Sequence, residues 1–97
     1  MRGFKRLQGR FFSLSYGTIP GRRVPGAAVV VSGKVVGSAV KRNAVKRKVR
    51  ATLVEALEGL RAGSAYVVYA KKGSGTATLA DVRNDVSELL ARARPSR

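Results

Sequence analysis

Between Ala39 and Arg50 the chain places Lys41, Arg42, Asn43, Lys46, Arg47, Lys48 and Arg50, and not one carboxylate. Guanidinium and ammonium groups gathered in this way suit phosphate oxygens, which an Arg fork meets bidentately. An Asn among them adds a directional donor and acceptor able to address a base edge, a 2′-hydroxyl or a metal-bound water. At about 100° per residue on a helix, Asn43, Lys46, Arg47 and Arg50 share an arc of roughly 100°. That arc lies beside an apolar stripe of Val45, Val49, Leu53, Ala56 and Leu60. A helix needing only solubility would intersperse Glu at i±4, but no acid occurs before Glu55, so like charges repel along two turns. A phosphate backbone would supply the missing negative charge and release its condensed counterions in doing so.

The whole chain shares this imbalance. Its 97 residues carry 20 Lys+Arg against 5 Asp+Glu, a formal charge of +15. Residues 1–50 hold 13 of the cations and no acid, and the second half holds 7 cations and all 5 acids, so the charges are +13 and +2. A Lys/Arg-rich helix face on a neutral protein is ordinarily just solvated. An acid-free half points instead to a nucleic acid, with its binding surface in that half.

Absent residue types exclude most other chemistry. With no Cys and no His, thiolate and imidazole metal sites, cysteine nucleophiles and serine/histidine/aspartate arrangements are removed, and no catalytic or metal-ligating residue is expected. Asp81, Asp85 and Glu88 fall at the spacing of one outer helix face, where solvation and dipole compensation account for them. Ser32-Gly33-Lys34 hints at a phosphate loop, but Ala28 stands where its first Gly should be and Val35 where its Ser or Thr should be. No apolar stretch approaches the ~18 residues needed to span a bilayer and the first residues lack a hydrophobic signal core, so a soluble, cytoplasmic protein with no membrane partner and no small-molecule substrate is expected.

The elements that must position the basic segment follow from periodicity. Arg10 to Tyr16 alternates as a strand, with Phe12, Leu14 and Tyr16 packing while Phe11, Ser13 and Ser15 occupy a wet face. An exposed Phe11 there could stack an unpaired base. Gly17 to Gly26 reads as a turn or loop, and Ala27 to Ser32 as a central strand buried on both sides. Ser38 is the expected N-cap of a helix running to about Arg61, with Gly63 as its stop signal. Ala65 to Ala70 is a third strand and Lys71 to Gly75 a mobile basic loop. Thr78 with Asp81 forms a capping box for a last helix that buries Leu79, Val82, Val86, Leu89, Leu90 and Ala93. The expected string is β-β-α-β-α, a small α+β fold with a mixed sheet, and residues 1–97 form one RNA-binding domain.

These residues resemble a known family. Ala39-Val40-x-Arg42-Asn43-x-x-Lys46-Arg47-x-x-Arg50, preceded by Val30-Val31-Ser32 and Gly37 and followed by the Tyr66-Val67-Val68-Tyr69 strand, is similar to the signature region of the bacterial ribonuclease P protein component, best matched over residues 10–93. The resemblance implies an α+β sandwich whose long basic helix links two parallel strands by a left-handed crossover, against the usual hand. It implies a subunit of an endoribonuclease, a hydrolase in which the RNA subunit binds the magnesium and performs the chemistry. That ribonucleoprotein removes the 5′ leader of precursor tRNA during tRNA processing. The partners of the protein would then be the catalytic RNA and precursor tRNA. Lys34, Lys41, Arg42, Asn43, Lys46, Arg47 and Arg50 would face RNA, and Phe11, Ser13 and Ser15 would line the leader cleft. Four departures accompany the match. The family's N-terminal helix and first strand are expected to be shortened or missing, with their cleft aromatics; Ala44 replaces a common basic residue; the usual Ser-Lys-Lys run is Ser32-Gly33-Lys34-Val35, one residue longer before Gly37, so that Lys34 alone is carried over; and Ser15 stands where a cleft aromatic is often found. Alternatives are a ribosomal or ribosome-assembly RNA-binding protein, which shares size and charge, and more remotely a basic membrane-surface protein or a DNA binder, for which neither an amphipathic anchor nor helix-turn-helix spacing is present.

Overall fold

The computed structural model describes residues 4–19, 21, 26–56 and 63–93. Four strands and two helices follow one another as β1 (Lys5–Gln8), β2 (Phe12–Thr18), β3 (Gly26–Val30), α1 (Ala39–Glu55), β4 (Ser64–Ala70) and α2 (Leu79–Ala93), with a 3-10 turn at Ser74–Thr76. The sheet order is β1-β2-β4-β3. β1 pairs antiparallel with β2, β2 antiparallel with β4, and β3 parallel with β4, so α1 connects two neighbouring parallel strands. This is the expected mixed-sheet α+β fold, but its first strand is present.

Alternation decides the two faces of the sheet. Phe12 and Leu14 of β2 and Tyr66 and Val68 of β4 are buried on the side covered by the helices. Val45, Val49 and Leu53 from α1 and Val82, Val86, Leu89 and Leu90 from α2 join them in one core. Tyr16 stacks on Tyr66 at 6.5 Å between ring centroids. The opposite face carries the intervening residues and, among the described residues, no helix; its middle is the Ser13, Ser15, Val67 and Tyr69 register of β2 and β4.

Several boundaries and burials differ from those the sequence suggests. β2 starts and ends two residues late, because the Asp85 carboxylate accepts the N–H groups of Arg10, Phe11 and Phe12 at 2.8, 2.9 and 2.9 Å and holds them in a bend. Asp85 is therefore an inward anchor rather than a solvated outer residue. Gly9 is required beside it, since a Cβ there would lie 2.7 Å from that carboxylate. β3 is an edge strand among the described residues, with Val30 43% exposed, because the central place next to β2 is taken by β4. α1 starts as expected, Ser38 accepting the Lys41 N–H at 3.3 Å, but closes at Ala56; the remainder of the expected helix, including Leu60, lies outside the described residues. Pro20 and the 22–25 stretch of the expected loop do so as well. Lys71 to Gly75 is a hydrogen-bonded turn rather than a mobile loop. Lys71 donates its N–H to the Phe11 carbonyl and its ammonium to the Gly9 carbonyl, and Ser74 is buried.

α2 opens on the reciprocal box. Thr78 N–H donates to Asp81 Oδ2 at 3.0 Å and Asp81 N–H to Thr78 Oγ1 at 3.1 Å. Leu79, at the box's edge, is exposed rather than buried, and Ala93 only partly covered. The Thr78 N–H, then its hydroxyl, holds the Asp81 carboxyl below its ordinary value of 3.8. A lowered folded-state pKa gives stability that is present above the ordinary value and lost as pH falls through the lowered one. Thr78→Ala is expected to cost about 1 kcal/mol and lower the melting temperature by roughly 4–8 °C. A calorimetric scan at neutral pH checks this.

Candidate nucleic-acid interface

α1 displays its cations on the flank away from the core. Val45, Val49, Thr52 and Leu53 turn inward, Lys46 is half-buried at the margin, and Asn43, Arg47 and Arg50 are exposed. The same arc that the sequence defines is thus brought to one surface. Arg50 borders a shallow hollow of about 370 Å³ with Ala27 of β3 and with Leu53 and Val54, which places this face of the helix beside the edge strand. Lys34 sits exposed in the turn after β3, where its N–H donates to Ser32 Oγ. Lys41 lies in the first turn of α1, across a second hollow from Gly73, Gly75 and Thr76.

Two basic side chains serve the fold. Arg42 Nη1 donates to the Val36 and Gly37 carbonyls, both at 2.9 Å, and so ties the turn before α1 to its first turn. Lys48 donates to the Ala77 carbonyl at 3.0 Å and braces the start of α2. Arg42 keeps its charge but not its freedom, so it positions the interface more than it reaches from it.

The described carboxylates are all engaged elsewhere. Glu55 pairs with Arg83, Glu88 with Arg92, Asp81 holds the α2 cap and Asp85 the bend before β2. Among the described residues no carboxylate touches Lys34, Lys41, Lys46, Arg47 or Arg50. Nor is there a group of three or more His, Cys, Asp or Glu that could hold a metal ion. The chemistry open to this face is multivalent contact with phosphates, with Asn43 able to read a neighbouring polar group.

The open sheet face differs from its sequence reading. Ser13 is 2% exposed and not wet, because the Arg6 guanidinium donates to its hydroxyl at 3.2 Å and lies 4.6 Å from the Tyr69 ring centroid. Ser15 is half-buried. Phe11 is separated from both. The Asp85 bend takes it out of the strand, where it packs against the core under the Arg10 guanidinium. There it borders a hollow of about 350 Å³ lined by Asp81, Asn84, Asp85 and Glu88. Phe4, Arg6 and Tyr69 were the residues that sequence reasoning missed. Phe4, Arg6 and Gln8 alternate just as Ser13 and Ser15 do, and Tyr66 and Tyr69 are an odd number apart, so one of the two tyrosines had to leave the core side. A Cβ at Gly17 would lie 2.5 Å from the Phe4 ring, which shows Phe4 draped across this end of β2.

Known proteins agree with this geometry. The family model described as Ribonuclease P matches residues 1–94. The ribonuclease P protein from Thermotoga maritima, solved in complex with 1-(4-fluorophenyl)-2-thiourea, is 26% identical with a TM-score of 0.82, covering 94% of this chain and 87% of that one. A Staphylococcus aureus ribonuclease P protein, a mutant with defective mRNA degradation activity, gives a TM-score of 0.84 at 21% identity, covering 93% and 75%. No curated protein matches the sequence.

Proposed function

Because the chain belongs to the ribonuclease P protein family, we propose that it is the protein subunit of that endoribonuclease, binding its catalytic RNA and the 5′ leader of precursor tRNA. The observation that carries this reading is the cation surface of α1, which no described carboxylate neutralises. Asn43, Lys46, Arg47 and Arg50 contact the catalytic RNA, with Lys34 and Lys41 at the margin. Arg42 holds the turn that orients them. The open sheet face, around Ser13 and Ser15, receives the single-stranded leader.

In this reading the RNA holds the magnesium that serves hydrolysis. The chain's cations reduce the repulsion between two RNA backbones brought together, a contribution that matters most when magnesium is scarce. The protein works in the cytoplasm; no described helix is long and apolar enough to cross a membrane.

Adding the chain to a bacterial ribonuclease P RNA at low magnesium is expected to speed cleavage of a leader-bearing precursor by about tenfold or more, in the range that electrostatic steering supplies. Unchanged cleavage, together with tight binding to ribosomal RNA, would move the assignment to a ribosomal or assembly protein.

A further inference from the structure

We infer that the Arg6 guanidinium, held over the Tyr69 ring on the open sheet face, is a stacking ledge for a base of single-stranded RNA. This rests on the leader reading above and names the residues that act in it. Register puts the parts together: Tyr69 on β4 stands opposite Ser13 on β2 and beside Val30 on β3, and Arg6 on β1 stands opposite Ser15. The guanidinium is fixed from below by the ring at 4.6 Å and from one edge by the Ser13 hydroxyl at 3.2 Å. A planar cation held on two sides has already lost the rotamer freedom that a free Arg would lose on binding.

Arg6 nonetheless remains exposed, with no carboxylate partner among the described residues. Of its five N–H donors, the Ser13 bond uses one, which leaves edges available to the phosphates on either side of a stacked base. The floor on one side of it is low: Ser15, Gly17, Ala65 and Val67 fall on the same face, while Gln8 and Val30 flank the ledge on the other side. Phe4, just before β1 and two residues from Arg6, or ~6.7 Å of extended chain, bounds the far end.

A stacked plane and a point charge are separable by substitution. The holoenzyme, assembled on a bacterial ribonuclease P RNA, is titrated with precursor tRNA carrying either a leader of several nucleotides or a single-nucleotide leader, and the ratio of the two dissociation constants is recorded. Arg6→Lys keeps the charge and loses the plane. It is expected to shrink that ratio about 5- to 10-fold, the loss of one stacked base, while leaving the salt dependence as in wild type. Arg6→Ala should shrink it at least as far and lower the salt slope as well. Tyr69→Ala, which removes the ring beneath the cation, should shrink the ratio as Arg6→Lys does. A 2-aminopurine placed in the leader should be quenched by wild type and less so by Arg6→Lys. A ratio for Arg6→Lys equal to wild type would overturn the ledge and leave only a charge. A wild-type ratio near one would remove leader binding itself, and this is seen before any variant is made.

Discussion

Reversing the charge at Arg47 and Arg50 together is expected to weaken binding of the ribonuclease P RNA by about 100-fold. Two charge-assisted contacts at roughly 1.5 kcal/mol each sum to about 3 kcal/mol, and 1.4 kcal/mol is a decade. Both side chains are exposed and free of described carboxylates, so the double variant should melt like wild type. The signature is in salt: losing two phosphate contacts lowers the slope of log K against log salt by about 1.4–1.8. Filter binding across a salt series measures it, and an unchanged slope would mean that this flank of α1 faces water in the holoenzyme. Arg42→Ala should behave differently. Its guanidinium ties down the Val36 and Gly37 carbonyls, so its loss is expected in stability before it is expected in the salt slope.

Asp85→Ala is expected to be the most damaging single change to the fold, at about 3 kcal/mol. The carboxylate accepts three consecutive N–H groups, bonds of the charge-assisted kind, and two of those donors sit in partly buried backbone where water replaces the oxygen poorly. A shift of roughly 4–8 °C per kcal/mol gives a fall in melting temperature of about 12–24 °C. On a small domain already strained by a charge of +15, that is much of the reserve. Asp85→Asn should fall between, since the amide keeps one acceptor and turns donors toward donors. A loss under about 1 kcal/mol for Asp85→Ala in a denaturant titration would show that the bend holds itself.

How much of this was legible in the sequence depends on the range of the forces involved. Local signals worked: the Ser38 cap, the Thr78 and Asp81 box, and the Val45, Val49, Leu53 stripe are each set by neighbours within a turn or two. So did the basic arc of α1, which is helical geometry alone. Long-range pairing was hidden. Nothing in the β-branched run after Gly26 says that β4 and not β3 takes the middle of the sheet, and an alanine-rich edge reads like a buried core. Asp85 reads as an outer residue because its partners are more than seventy positions away, in backbone that has no sequence signature. Phe11 was misplaced for the same reason, since the anchor that pulls it out of the strand is Asp85. Tyr69, on β4, is seen to share the open face with Ser13 and Ser15 only once register is known.

The order β1-β2-β4-β3 also has a kinetic meaning. The hairpin of β1 and β2 and the unit of β3 and α1 share no strand pairing until β4 enters between them, and β4 begins only at Ser64. During synthesis, then, the most cationic stretch is made before the strand that closes its sheet. The loop-closure entropy for that late insertion makes it slow. A chain in this state is an open polycation, so a polyanion present as it folds would lower the repulsion that the closing sheet has to overcome.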